Sequence, residues 1–179
     1  MSDADATAHC PSCGGPGVGG VDGCQAVFNR VLEREFSDPD FFRVHRMTVY
    51  SYCLQHPEVY MRSSKSAAAH LAGMCWMMER GLCPHLPKPL KAWVDGPRRY
   101  TRVQPPPAGV RGSITVVHIM AAVDPAGYER RVGEWAHSAW EAWSPHWEQA
   151  RSWVQEALAG VAADAEPITA VDGPKAGRH

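Results

Sequence analysis

The sequence predicts a mainly α protein: a helical bundle of about four helices, with an N-terminal zinc-knuckle segment and a long proline-rich connector. Three observations predict it. Apolar residues recur three and four apart near Asp22–Phe36, Pro39–His56, Ser64–Gly81 and the stretch after Asp124-Pro125, the spacing of amphipathic helices. Cys10-Pro-Ser-Cys13-Gly-Gly is followed at short range by Cys24, an arrangement that aims thiolates at one metal ion. Prolines at 84, 87, 89, 97, 105, 106 and 107 fill a connector too long to be a plain loop in a compact domain.

Composition narrows the class. At 179 residues and 45% hydrophobic content the chain is long enough for one well-filled core. The expected domain is 9–160, between a polar tail at 1–8 and a small-residue tail at 161–179, both expected to be disordered. A net charge of -1 argues against nucleic acid as a partner, because no broad excess of cations replaces phosphate counterions. Arg98, Arg99, Arg102 and Arg111 read as a solvated basic loop. The N-terminus has no apolar signal core and no run approaches the roughly 20 apolar residues that span a bilayer. The expectation is a cytoplasmic protein without membrane contact, in which six cysteines stay reduced and metal binding is favoured over disulfides.

Taken in order, the glycine-rich connector after Cys13 can turn back to bring in Cys24 at the start of the first helix. Cys24, Val27, Phe28, Val31 and Glu35 share that helix's inner face. Asp38-Pro39 is an N-cap and N1 pair that restarts the chain. The second helix runs to about His56, before Pro57, and His45, Val49, Tyr52 and His56 fall on one stripe. A stripe this polar needs hydrogen-bond or metal partners inside the protein. In the third helix Ala67, His70, Leu71, Met74, Met77 and Met78 face inward, and Gly81 ends it. Cys53, Cys75 and Cys83 are read as sheltered thiols. The β-branched residues of Ile114–Ala122 favour a strand, but Thr115 as N-cap with Met120-Ala-Ala favours a short helix, which is preferred. Five of the seven tryptophans lie in the last helical stretch, which Ser144-Pro145 should kink or split.

The short turn between the first two helices makes them antiparallel neighbours. Cys24 then lies level with the C-terminal end of the second helix. The predicted metal ligands are Cys10, Cys13, Cys24 and His56, with zinc as the ion. His70 or water is the alternative fourth ligand, and His9 would need a cramped chelate turn. His45 sits eleven residues before His56, about 16 Å along a straight helix, and cannot share the metal. Instead Glu35 should pair with His45 as buried neighbours, structurally or as an acid/base couple. The candidate catalytic residues are therefore His70, Tyr52, His45 and Glu35, with Gln55 able to orient a substrate.

The segments CPSCGG, EREFSDP, VHRMTVYSYCLQHPE, AAHL and WSPHW resemble an uncharacterised bacterial family, a domain of unknown function, from Cys10 to about Trp153. In that family an acidic residue is common where this chain has Tyr50, so this chain departs from the pattern there. The architecture is also similar to DinB-like metal-binding bundles, four-helix proteins with histidine ligands on different helices, some of which transfer thiols; a likeness of architecture alone implies no activity. Two functions follow. One is a binding or interaction module with a closed Cys3His zinc site, taking a small molecule or a protein as partner. The other is a metal-dependent enzyme of transferase or hydrolase type, with an open zinc position and His/Tyr acid-base groups. A nucleic-acid binder using the knuckle comes third. Oligomeric state is not encoded in any of these patterns.

Overall fold

The structure is a computed structural model that describes residues 9–83 and 85–164. The expected tail at 1–8, residues 165–179 of the expected tail at 161–179, and Pro84 of the connector lie outside the described residues; residues 161–164 are not part of a tail but continue the last helix. The chain is mainly helical, with no strand among the described residues. In order it forms α1 (Val21–Ser37), α2 (Pro39–Phe42), α3 (His45–Gln55), α4 (Pro57–Tyr60), α5 (Ser64–Arg80), α6 (Lys88–Asp95), α7 (Val116–Ile119), α8 (Pro125–Ala142), a 3-10 turn (Ser144–His146) and α9 (Trp147–Asp164).

Local chemistry sets most of these boundaries. Asp38 accepts from the Asp40 N–H and starts α2, and Asp124 accepts from the Gly127 N–H and starts α8. Ser63 and Ser66 form a reciprocal capping box at α5. Ser144-Pro145 does split the last stretch, because proline lacks the N–H that would continue the α8 ladder.

One boundary differs from the sequence reading, and two expectations hold. The second helix is not continuous: the chain turns at Arg43–Val44, so α2 and α3 are separate. The connector is more than a plain loop, as its length predicts: Leu90 and Trp93 of α6 bury against α9, each contributing roughly 1.5–3 kcal/mol of hydrophobic stabilisation. The 114–122 segment forms the preferred short helix, a single turn, α7, opened by Thr115.

A second correction concerns α3. It has no single stripe, because Met47, Thr48, Tyr50, Ser51, Tyr52, Cys53, Leu54 and Gln55 are all buried. It is the central helix, packed between α8 and α5, with α9 covering α5. A polar helix can sit there only if its polar atoms are paired. The tryptophans do part of this: the Trp135 indole donates to Gln55 Oε1 at 2.9 Å, and Trp143 donates to the Leu54 carbonyl at 3.0 Å. Their stripe supplies hydrogen-bond donors as well as apolar area. No described helix is long and apolar enough to cross a membrane.

Candidate metal centre

The site starts with a tight turn. The Gly14 N–H donates to the Cys10 carbonyl at 2.8 Å, and the Cys10 N–H donates to the Gly15 carbonyl at 2.9 Å. Gly14 has φ of 77°, the left-handed region that side chains disfavour. The Gly15 N–H points at Cys13 Sγ, 3.4 Å away. The connector then doubles back across the first turn of α1. Its Val18 carbonyl lies where a Cβ at position 23 would be, so only glycine fits at Gly23. One residue later Cys24 enters the cluster from the same turn of helix.

His56 arrives from the other side. It ends α3 and precedes Pro57, which opens α4. Its Nδ1 donates to the Tyr52 carbonyl at 2.8 Å, the bond that leaves Nε2 with its lone pair outward. Nε2 lies 3.5 Å from Cys10 Sγ and 3.4 Å from Cys24 Sγ, while Cys13 Sγ and Cys24 Sγ are 3.7 Å apart. These four ligand atoms lie within 4.8 Å of one another and all four residues are buried, so the cluster can hold a metal ion. All three thiols are free, and 3.7 Å is far beyond a disulfide bond of about 2.05 Å.

Electrostatics in the cluster favour a cation. Cys10 is driven well below the usual thiol range by hydrogen bonds from Cys13 and Cys24 and, to a lesser degree, from His56. Cys24 is driven well above it by the hydrogen bonds it gives Cys10 and Cys13, together with burial. Three thiols this close cannot all ionise by themselves. Burial lowers the affinity of His56 for a proton, but the sulfur contacts and the Tyr52 carbonyl outweigh it, to about 9.

Aromatic and polar side chains hold the ligands. The Tyr52 ring lies between Phe28, at 3.7 Å and 2°, and His56, at 3.9 Å and 23°. Its hydroxyl is 3.8 Å from Cys24 Sγ and fully sheltered. Behind the turn, buried Arg111 forms a two-pronged pair with Glu58 and donates to the Pro106 carbonyl. Glu58 also accepts from Ser12 of the knuckle, and the Gly109 N–H donates to the Ser12 carbonyl. The loop before α7 therefore clamps the knuckle to α4. Gln55, adjoining His56, is fully buried and holds the same loop by donating to the Arg111 and Ile114 carbonyls.

The other expected site residues lie elsewhere. His70 is not in the cluster; its Nδ1 is buried without a partner, and its ring meets Tyr50 edge-on at 5.7 Å. His45 and Glu35 do pair, 2.7 Å apart, but at the opposite end of α3. Glu35 is fully buried, whereas His45 keeps 23% of its side chain exposed, so it is half-buried rather than buried as expected. Arg111 was grouped with solvated arginines in the sequence reading and is instead 3% exposed, because Glu58 and two backbone carbonyls pair it. The only hint in sequence was its position after three prolines and a glycine, where a chain reversal can turn a side chain inward.

Over residues 8–144 the chain matches a family described as a family of unknown function, DUF5946. The chain belongs to this family. The matched span holds the knuckle and all four cluster residues and stops at the proline turn before α9. No curated protein and no solved structure matches the chain.

Proposed function

We propose that this member of the DUF5946 family is a zinc-binding helical-bundle protein, with Cys10, Cys13, Cys24 and His56 as the ligands of a structural Cys3His site. The single observation that carries the reading is the spacing of the ligand atoms. A tetrahedron with Zn–S near 2.3 Å and Zn–N near 2.05 Å has edges of about 3.8 Å between sulfurs and about 3.6 Å from sulfur to nitrogen. The cluster has 3.7 Å between Cys13 and Cys24, and 3.5 and 3.4 Å from His56 to Cys10 and Cys24. Zinc as the ion rests on that fit and on the soft thiolate-rich donor set. The Tyr52 carbonyl on Nδ1 supports it, since metal-bound histidines usually give their second N–H to a carbonyl or carboxylate.

Four protein ligands complete a tetrahedron and leave no open position. A bound ion would crosslink the knuckle, α1 and the end of α3, so loading would be coupled to folding. Tyr52 then positions His56 and Cys24. The setting is a reducing compartment such as the cytoplasm, where free thiols persist, and the partner is a small molecule or a protein.

One observation favours a second reading, a metal-dependent enzyme of hydrolase or transferase type. A polar cavity of about 320 Å³, lined by His9, Cys13, Ser113, Thr115 and His118 among others, reaches one ligand. Cobalt substitution separates the two readings. A tetrahedral visible spectrum that is unchanged by added cyanide or thiocyanate supports the closed site. A spectrum that shifts on anion addition supports an open position, and full chain without bound zinc on elemental analysis removes both.

A further inference from the structure

At the end of α3 away from His56, Glu35 and His45 form a second constellation that the metal reading does not use. The Glu35 carboxylate is wholly buried where α1, α3 and α8 meet. One oxygen accepts from Thr48 Oγ1 at 2.5 Å and from the Tyr128 hydroxyl at 2.7 Å; the other accepts from His45 Nδ1 at 2.7 Å. Thr48 and Tyr128 thus fix the carboxylate from two helices, and the carboxylate fixes the imidazole. This leaves His45 Nε2 with no hydrogen-bond partner among the described residues and with access to solvent. Beside it stand two aromatic rings that a core would normally cover. Phe42 lies parallel to His45 at 4.8 Å and Phe36 is tilted at 4.9 Å; they are 37% and 68% exposed.

We propose that Glu35 and His45 form a general-base site that activates water against an uncharged carboxylic ester whose aromatic or apolar group lies on Phe36 and Phe42. Phe36 and Phe42 present apolar surface beside the ring, which suits the aromatic or apolar group of such an ester. In the step, His45 Nε2 accepts a proton from water as the water oxygen bonds to the acyl carbon. The carbonyl pair moves onto its oxygen and returns as the bond to the alcohol or phenol oxygen breaks. That leaving oxygen takes the proton from Nε2, and acid and alcohol are released. His45 is the catalytic residue; Glu35 is a positioning residue that holds the Nδ1–H tautomer and stabilises the imidazolium.

The test uses full-length, metal-loaded protein with p-nitrophenyl acetate as the probe. Saturable hydrolysis is expected, with kcat reduced about 10²-fold or more in His45→Gln. Phe36→Ala, at an exposed position, should raise KM with little change in kcat. Glu35→Gln should lower kcat with little change in KM, a split that loss of packing alone would not produce; if it fails to fold, His45→Gln and Phe36→Ala still decide. His137→Gln, at an exposed histidine on α8, should leave hydrolysis unchanged. A rate linear in probe concentration and equal to that of free imidazole overturns the proposal, as does saturable hydrolysis that survives in His45→Gln.

Discussion

His56 stacks on Tyr52 at 3.9 Å and donates its Nδ1–H to the carbonyl of that same residue at 2.8 Å. One helical turn therefore fixes both the plane and the tautomer of the imidazole and points Nε2 at two sulfurs. His56→Ala is expected to lower zinc content and melting temperature together, while His45→Ala leaves zinc content at about one ion per chain. Elemental analysis of the two variants checks this, and loss of zinc in the His45 variant alone would assign the ligand wrongly.

Gly23 makes a sharper test of the same centre, because no ligand atom is touched. Any Cβ there overlaps the Val18 carbonyl. Gly23→Ala should push the connector off α1, separate Cys24 from Cys10 and Cys13, and weaken zinc retention in a chelator competition. Gly133→Ala, on α8 with open space around it, should retain zinc as the wild type does and gain a few tenths of a kcal/mol or more in helix propensity. Equal chelator resistance in Gly23→Ala and wild type would refute the crossing.

Gln55 spends all of its polar atoms inside the protein: two carbonyls accept from its amide and Trp135 donates to its oxygen. Gln55→Leu keeps the volume but leaves an indole N–H and two carbonyls unpaired. Each buried group left unpaired costs about 1–3 kcal/mol, so denaturant unfolding should show a loss on the order of 3 kcal/mol or more. A loss under about 1 kcal/mol would mean that water replaces the amide.

His70 gives the protein a pH dependence on the acid side. Burial holds its pKa down at about 4, against a weaker opposing hydrogen bond to the Tyr60 backbone. The folded state thus binds fewer protons than the unfolded chain, so this contribution is complete above about pH 6.5 and is lost as pH falls towards 4. The loss is at most about 3 kcal/mol at 1.36 kcal/mol per pKa unit, and smaller because the half-buried ring keeps some solvent contact. His70→Gln should flatten the stability profile between pH 6.5 and 4; an unchanged slope would place the effect on another group.

By itself the sequence determined the helical class and the three cysteines Cys10, Cys13 and Cys24, and it chose His56 over His70 and water as the fourth residue that the structure brings to the cluster. These follow from local rules: periodicity marks helices, Pro and Gly mark their ends, and a CxxC turn can only present its sulfurs together. It also paired Glu35 with His45, because a short antiparallel turn at Asp38 puts them level.

Only the tertiary structure decided that α3 is buried on every face, that Arg111 is an internal clamp, and that Tyr128 and Thr48 complete the Glu35 site. Arg111 meets Glu58 across 53 residues of chain, Tyr128 meets Glu35 across 93, and even Thr48 lies 13 residues from Glu35. No local pattern encodes such a meeting. A polar residue that reads as solvated in sequence becomes an interior one when a distant element supplies its partner, as Glu58 does for Arg111.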